Sequence, residues 1–297
     1  MSRRARLLNG WLRRVEKPRL ARAEDPVHLR RQFELGTRIF LHPPRGTAFG
    51  QITLNGIEAT EVTPRGPVGD PLILYIHGGA FILGSPRTHR APLAHLAAHT
   101  GLRAILPRYR LGPENPFPAA VDDVTAAYRA VMDHPGGVIL GGDSAGGGLA
   151  LSLLAMIRAE GLRLPLGTFC FSPLTDLTFS GPSFAANAEA DPMLPARRAA
   201  DLAEMYLGGA DPHDPRASPL FATFAGASPV WIAAGRTEIL LDDARRMADR
   251  LMAEGVDVTC VIEGDLPHVW PLFHGYIPEA RQTMLELAAW INSLARL

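Results

Sequence analysis

The sequence predicts an α/β fold: a mainly parallel central sheet flanked by helices on both faces, with a helical cap. Three observations predict it. From residue 71 onward, short apolar runs alternate with longer helical stretches. The apolar runs are continuous rather than alternating, as in strands buried on both faces. Two stretches, residues 1–45 and about 176–215, break that rhythm.

The elements follow in order. PLILYIH (71–77) is the first buried strand, and RAPLAHLAAHTG (90–101) is a helix that Gly101 ends. LRAILPRY (102–109) is the next strand, AAVDDVTAAYRAVMDH (119–134) a helix and GVILGGDS (137–144) a strand. GGLALSLLAMIRAEG (147–161) is a helix closed by Gly161. PLGTFCFSP (165–173), SPVWIAAG (228–235) and DVTCVIEG (257–264) are further strands. DDARRMADRLMAEG (242–255) and PEARQTMLELAAWINSLARL (278–297) are further helices. The stretch 176–215 falls between two strands and is too long for an ordinary connection. Together with residues 1–45 it is expected to cap the C-terminal edge of the sheet, with 46–297 as the core.

Composition narrows the class. The chain has 297 residues, 47% of them apolar and 20% charged, which is globular composition. Such a length buries a core without staples. Thirty Lys and Arg balance thirty Asp and Glu, so nothing calls for nucleic acid as a partner. Cys170 and Cys260 each sit in an apolar run, TFCFS and VTCVI, and are expected to be free core cysteines.

The N-terminus lacks the apolar stretch of a secretion signal. No run of about 18 apolar residues occurs, so a cytoplasmic protein without a stable membrane anchor is expected. The first 25 residues hold eight basic residues, interleaved with Leu7, Leu8, Trp11, Leu12 and Val15. A membrane-surface helix has this composition. A helix packed on the body with its arginines outward has it too, and is the expected arrangement. The sequence leaves the oligomeric state open, a homo-oligomer included.

The strongest chemical signal is GGDSAGGG at 141–148, which contains G-x-S-x-G centred on Ser144. It follows the strand VILGG and opens a helix, the context in which this motif makes a sharp strand–turn–helix elbow. The glycines remove side chains where the strained backbone crowds its neighbours. Ser144 then projects at a helix N-terminus, where developing negative charge is favoured. A phosphate-binding loop is the competing pattern, but it needs a Lys after its glycines, and none follows Ser144.

A serine hydroxyl needs a base to remove its proton. In hydrolases built on this elbow the chain order is Ser, then Asp or Glu, then His. His268, in the loop DLPHVW after a late strand, fits the base. His213 lies in the presumed cap, and His274 is too close to the following helix. The acid belongs just past SPVWIAAG, where Glu238 comes first and Asp242 lies four residues on. Asp242 is the alternative acid or a helper that shares a helical face with Glu238. The carboxylate would fix the imidazole tautomer and stabilise the imidazolium.

Acyl transfer also needs N–H donors for the developing oxyanion. His77-Gly78-Gly79-Ala80-Phe81 follows the first strand, and the expected donors are Gly78, Gly79 and Ala145. His77 and Asp143 are expected to support this site, His77 as a brace for the glycine loop. No metal-ligand cluster is visible, and the chemistry needs no metal or organic cofactor.

These segments resemble the hormone-sensitive-lipase family of esterases, a branch of the α/β-hydrolases. HGGAF (77–81) is similar to its HGGG oxyanion motif and GDSAGGG (142–148) to its nucleophile elbow. YRLGPENPFPAAVDD (109–123), DPML (191–194), SPL (218–220) and PHVW (267–270) resemble its other landmarks. The resemblance implies an α/β-hydrolase fold with a cap built from the N-terminus and an insertion. It also implies a carboxylesterase acting on short- to medium-chain acyl esters through a Ser-His-Glu triad. Two positions depart from the family pattern: Ala80 replaces the third glycine, and Glu238 stands where Asp is usual. A lactonase or amidase on the same fold, a non-catalytic ligand-binding protein and a peripheral membrane lipase are the competing readings. Intact Ser144 and His268 weigh against the binding protein.

Overall fold

The structure is a computed structural model describing residues 1–23, 25–66 and 68–294. The N-terminal region is helical: α1 (Arg3–Trp11), a π-helical turn (Leu12–Glu16), α2 (Lys17–Arg22) and α3 (Pro26–Phe40). A hairpin follows, β1 (Ala48–Leu54) and β2 (Ile57–Thr63). Then come β3 (Leu72–Ile76), α4 (Pro86–Thr100), β4 (Arg103–Pro107), α5 (Ala119–Val131), β5 (Val138–Asp143) and α6 (Ala145–Ala159). The second half holds β6 (Gly167–Phe171), α7 (Pro182–Ala186), α8 (Ala199–Leu207), β7 (Val230–Gly235), α9 (Leu241–Ala253), β8 (Val258–Glu263) and α10 (Pro278–Leu294).

All eight strands form one sheet in the order β1-β2-β4-β3-β5-β6-β7-β8. The pairings from β4 to β8 are parallel, while β1–β2 and β2–β4 are antiparallel. β3, β5, β6 and β7 are buried at every residue, which is why each reads as an unbroken apolar run. Their side chains still divide by the two-residue period of a strand. Leu72, Leu74 and Ile76 join one core with Val124 and Leu153, and Ile73 and Tyr75 join the other with Leu96 and Ile291.

The β1–β2 hairpin does not follow from the apolar rhythm. Its turn is Asn55-Gly56, with φ of 46° and 89°, the left-handed pair that a tight hairpin turn demands. α4 begins four residues earlier than the apolar pattern suggests. Pro86 opens it, and Thr88 Oγ1 accepts the Ser85 N–H at 3.0 Å. Cys170 is buried and free, as expected, but Cys260 is free and exposed. Cys260 lies on β8, the sheet's last strand, whose residues are all half-buried or exposed.

The first helices pack on the body with Arg3, Arg4, Arg6, Arg13, Arg14 and Arg22 exposed, as expected, but several of their large apolar side chains face outward as well. Ala5 and Leu12 turn inward, and Asn9 Nδ2 donates to the Asp265 carbonyl at 2.6 Å. Leu7, Trp11 and Val15 therefore fall on the opposite side of the helical period, 75%, 46% and 46% exposed. The segment is held by its cations. Arg13 donates to the Ala190 carbonyl at 2.7 Å, and Lys17 Nζ to the carbonyls of Ala188 and Asp191 at 2.7 and 2.8 Å. Arg30 reaches the Ile82 and Gly112 carbonyls at 2.7 and 2.6 Å. Leu20, Ala23 and Leu29 pack with Ala80 and Ile82 and with Leu202 of α8. Among the described residues, no helix is long and apolar enough to cross a membrane.

Candidate active site

Ser144 sits between β5 and α6 at φ 52°, ψ −124°, a conformation rarely adopted by a residue with a Cβ. Its neighbours explain how the chain can turn so sharply. A Cβ at Gly146 would lie 2.2 Å from the Ile76 carbonyl oxygen, and one at Gly142 would lie 2.4 Å from that of Gly146. The Ser144 N–H is held by the Phe171 carbonyl on β6 at 2.8 Å.

His268 comes from the loop after β8 and places Nε2 2.9 Å from Ser144 Oγ. On its other side, Nδ1 lies 2.6 Å from Glu238 Oε2. Both partners are buried, Glu238 completely. Burial works against the imidazolium, but the hydrogen bond and charge of Glu238, helped by Asp191 and Asp143, outweigh it and raise the His268 pKa above the ordinary histidine value. The second oxygen of Glu238 accepts from the Gly235 N–H at 2.5 Å and from Ser172 Oγ at 2.8 Å.

Ser172 carries no sequence signal beyond its place at the end of a strand. It nonetheless joins both loops, since its Oγ also accepts the Val269 N–H at 3.1 Å. It stands at φ 45°, a strained turn that aims its hydroxyl at Glu238.

Asp242 is not a helper of the imidazole. α9 begins at Leu241, so Glu238 precedes the helix and the two carboxylates share no helical face. Asp242 Oδ2 instead accepts the Ser183 N–H at 2.6 Å, at the start of α7. The neighbouring Asp243 accepts the N–H groups of Thr175 and Asp176 at 2.7 and 3.0 Å. His213 is exposed beside Asp211. His274 stacks on His95 at 4.3 Å between ring centroids, and burial lowers its pKa to about 4.

The glycine loop after β3 needs a correction in register. The Gly78 N–H donates to Asp143 Oδ1 at 2.9 Å, so it has no freedom to serve an oxyanion. Among the described residues, no protein acceptor takes the N–H groups of Gly79, Ala80 or Ala145. The donor set available at the elbow is therefore shifted by one residue along the loop. Gly79 is at φ 126°, where a Cβ would lie 2.5 Å from the Leu83 carbonyl oxygen, and Ala80 takes φ 52°.

Asp143 organises this loop from below. It is fully buried and accepts from Tyr75 Oη at 2.8 Å as well as from Gly78, with His89 Nε2 3.4 Å away. Burial pushes its carboxyl up, but His89, Tyr75 and the Gly78 N–H together hold it below the ordinary range. His77 Nδ1 lies 3.0 Å from the carbonyl oxygen of Gly78 in the glycine loop. Its ring stacks on Tyr109 at 4.3 Å, and burial lowers its pKa to about 3, so it stays neutral.

The remaining sequence landmarks have structural work near the site. Asp191 of DPML accepts the N–H groups of Met193, Leu194 and Ile239 at 2.8, 2.9 and 3.0 Å, tying that segment to the loop after Glu238. Ser218 of SPL accepts the Leu177 N–H at 2.9 Å. Tyr109 Oη donates to the His77 carbonyl at 2.8 Å, and Arg110 pairs with Asp123 at 2.7 Å.

Comparison with known proteins identifies the family. A family model described as alpha/beta hydrolase fold matches residues 73–272. An acetyl-hydrolase of Streptomyces hygroscopicus is 37% identical over 245 residues, covering 82% of each chain. An esterase of Acinetobacter venetianus is 34% identical over 247 residues, covering 82% of this chain and 81% of that one. A crystal structure of an esterase from the bacterial hormone-sensitive lipase family superposes with TM-score 0.93 at 36% identity, covering 99% of both chains. EstE5 soaked with p-nitrophenyl butyrate superposes with TM-score 0.94 at 35% identity over the full length of both. The chain therefore belongs to the α/β-hydrolase family, in its hormone-sensitive-lipase branch of esterases.

Proposed function

We propose that the protein is a carboxylesterase that cleaves short- to medium-chain acyl esters through an acyl-enzyme on Ser144. The observation that carries this reading is the continuous relay from Ser144 Oγ through His268 to Glu238, closed at 2.9 and 2.6 Å. Ser144 Oγ attacks the ester carbonyl carbon while its proton passes to His268 Nε2. The charge on the carbonyl oxygen is met by the free N–H groups of Gly79, Ala80 and Ala145. Collapse expels the alcohol, which leaves with the proton from His268. Water, deprotonated by the same imidazole, then releases the acid and restores the serine. Glu238 holds the Nδ1–H tautomer and stabilises the imidazolium at each step.

Residues 1–45 and about 176–215 are proposed to form the cap over this site, with Leu20, Leu29 and Leu202 forming an apolar wall beside Ala80. An apolar wall suits an acyl or alkyl group. The names of similar proteins, an acetyl-hydrolase and an esterase crystal soaked with a butyrate ester, support the short end of the range.

The test is a series of p-nitrophenyl esters from acetate to laurate under pre-steady-state conditions. A burst of one nitrophenol per chain, with turnover falling beyond medium chain lengths, is the expected result. A binding protein of this fold releases no burst, and a maximum at laurate overturns the chain-length reading.

The pH profile provides a second check. His268 must be neutral to accept the serine proton, and its pKa is raised. The acid limb of kcat/KM should therefore titrate above the ordinary histidine value of about 6.5. A limb below pH 6 with a non-ionising ester would contradict the coupling between His268 and Glu238.

A further inference from the structure

The charge of the chain is balanced overall but not along its length. Residues 1–42 hold eleven Lys and Arg against four Asp and Glu, while the whole chain has thirty of each. Among the described residues, the same segment carries most of the large apolar side chains that solvent reaches. On α1 and the turn after it, Leu7, Trp11 and Val15 recur every four residues and are 75%, 46% and 46% exposed. On α3, Leu35, Ile39 and Phe40 are 60%, 56% and 54% exposed. The rings of Trp11 and Phe40 lie 6.4 Å apart between centroids, so the two stripes meet in one surface.

Arginines are interleaved with this surface. Arg3 and Arg4 lie one turn before Leu7, Arg14 lies between Trp11 and Val15 in helical order, and Arg31 and Arg38 flank Leu35 and Ile39; all five are exposed. The opposite side of the segment is committed to the protein through Ala5, Leu12, Leu29 and the bonds of Arg13, Lys17 and Arg30.

We propose that this α1–α3 face docks reversibly on an anionic lipid surface. Protruding Leu, Ile and Trp side chains among arginines match a phase that is apolar inside and negatively charged outside. A second copy of the chain fits the face less well, because the excess positive charge would oppose itself across the contact. A nucleic acid would engage the arginines but would give the aliphatic side chains no apolar phase to enter. The face belongs to the segment that packs against Ala80 and Ile82, so docking would set the proposed cap at a lipid boundary.

Co-sedimentation with vesicles tests this directly. The probes are vesicles of equimolar phosphatidylglycerol and phosphatidylcholine, compared with pure phosphatidylcholine. Trp11 is the natural reporter, since Trp231 and Trp270 are buried and Trp290 is half-buried on α10, outside the proposed face. The protein should sediment with the anionic vesicles at low salt and blue-shift its tryptophan emission. The shift should vanish in Trp11→Phe, and binding should weaken in 1 M salt, where screening shortens to about 3 Å. Leu7→Ser with Ile39→Ser should weaken binding by about tenfold or more without changing the melting temperature, because two inserted apolar side chains are lost. Absence of binding to anionic vesicles at low salt overturns the proposal. So does binding that the double substitution leaves unchanged. A dimer that the double substitution dissolves, with Trp11 emission indifferent to vesicles, assigns the face to a second copy and overturns it equally.

Discussion

Ser144→Ala should lower ester turnover by about 10⁶, to the level left by binding and the oxyanion donors alone. The hydroxyl of Ser172, which also touches the relay, is spent between Glu238 and the Val269 N–H on the far side of the imidazole and cannot take the place of Ser144. The fold should survive the change. The Ser144 side chain makes one hydrogen bond, to His268, and the elbow is held by backbone contacts to Phe171 and Leu174. Loss of one such bond at a partly exposed site costs about 1 kcal/mol. The measurement is turnover of a p-nitrophenyl ester at equal folded fraction, judged by thermal melting. Turnover within tenfold of the parent would remove Ser144 from the mechanism.

Glu238→Gln should cost about 10⁴ in turnover, as loss of the triad carboxylate does elsewhere. A glutamine can offer its amide N–H to His268 Nδ1. That would reverse the tautomer, put the proton on Nε2 and leave no lone pair for the serine. Glu238→Asp retains the charge but withdraws the oxygen by about 1.5 Å, one C–C bond, from a contact now at 2.6 Å, so partial activity is expected. Asp242→Asn should stay within about tenfold of the parent, less than a true supporting carboxylate costs. Its oxygen can still accept the Ser183 N–H, and it touches neither His268 nor Glu238. If Asp242→Asn is the more damaging change at equal folded fraction, the carboxylate assignment is reversed.

Much of the architecture was legible in the chain because its physical causes are local. A strand buried on both faces must be apolar throughout, so β3, β5, β6 and β7 announce themselves. The first hairpin was not read from the sequence, because its strands are partly exposed and lack a continuous apolar run; its Asn55-Gly56 turn is the signal that could have marked it. Asp242 and Glu238 looked alike in spacing. What separates them is the start of α9 at Leu241, which leaves Glu238 in the loop facing His268.

The sequence by itself determined the buried parallel strands, the elbow at Ser144 and the histidine expected to serve it, since each depends on side-chain patterning or on glycine where no Cβ fits, but it left Glu238 and Asp242 as alternatives. Only the tertiary structure decided which loop N–H groups are free. Gly78 loses its donor to Asp143, a residue 65 positions away, and no local pattern records that claim. The clamp by Ser172 and the outward turn of Leu7 and Trp11 belong to the same class. Each depends on which side of an element finds a partner across space, and that is settled only when distant segments pack together.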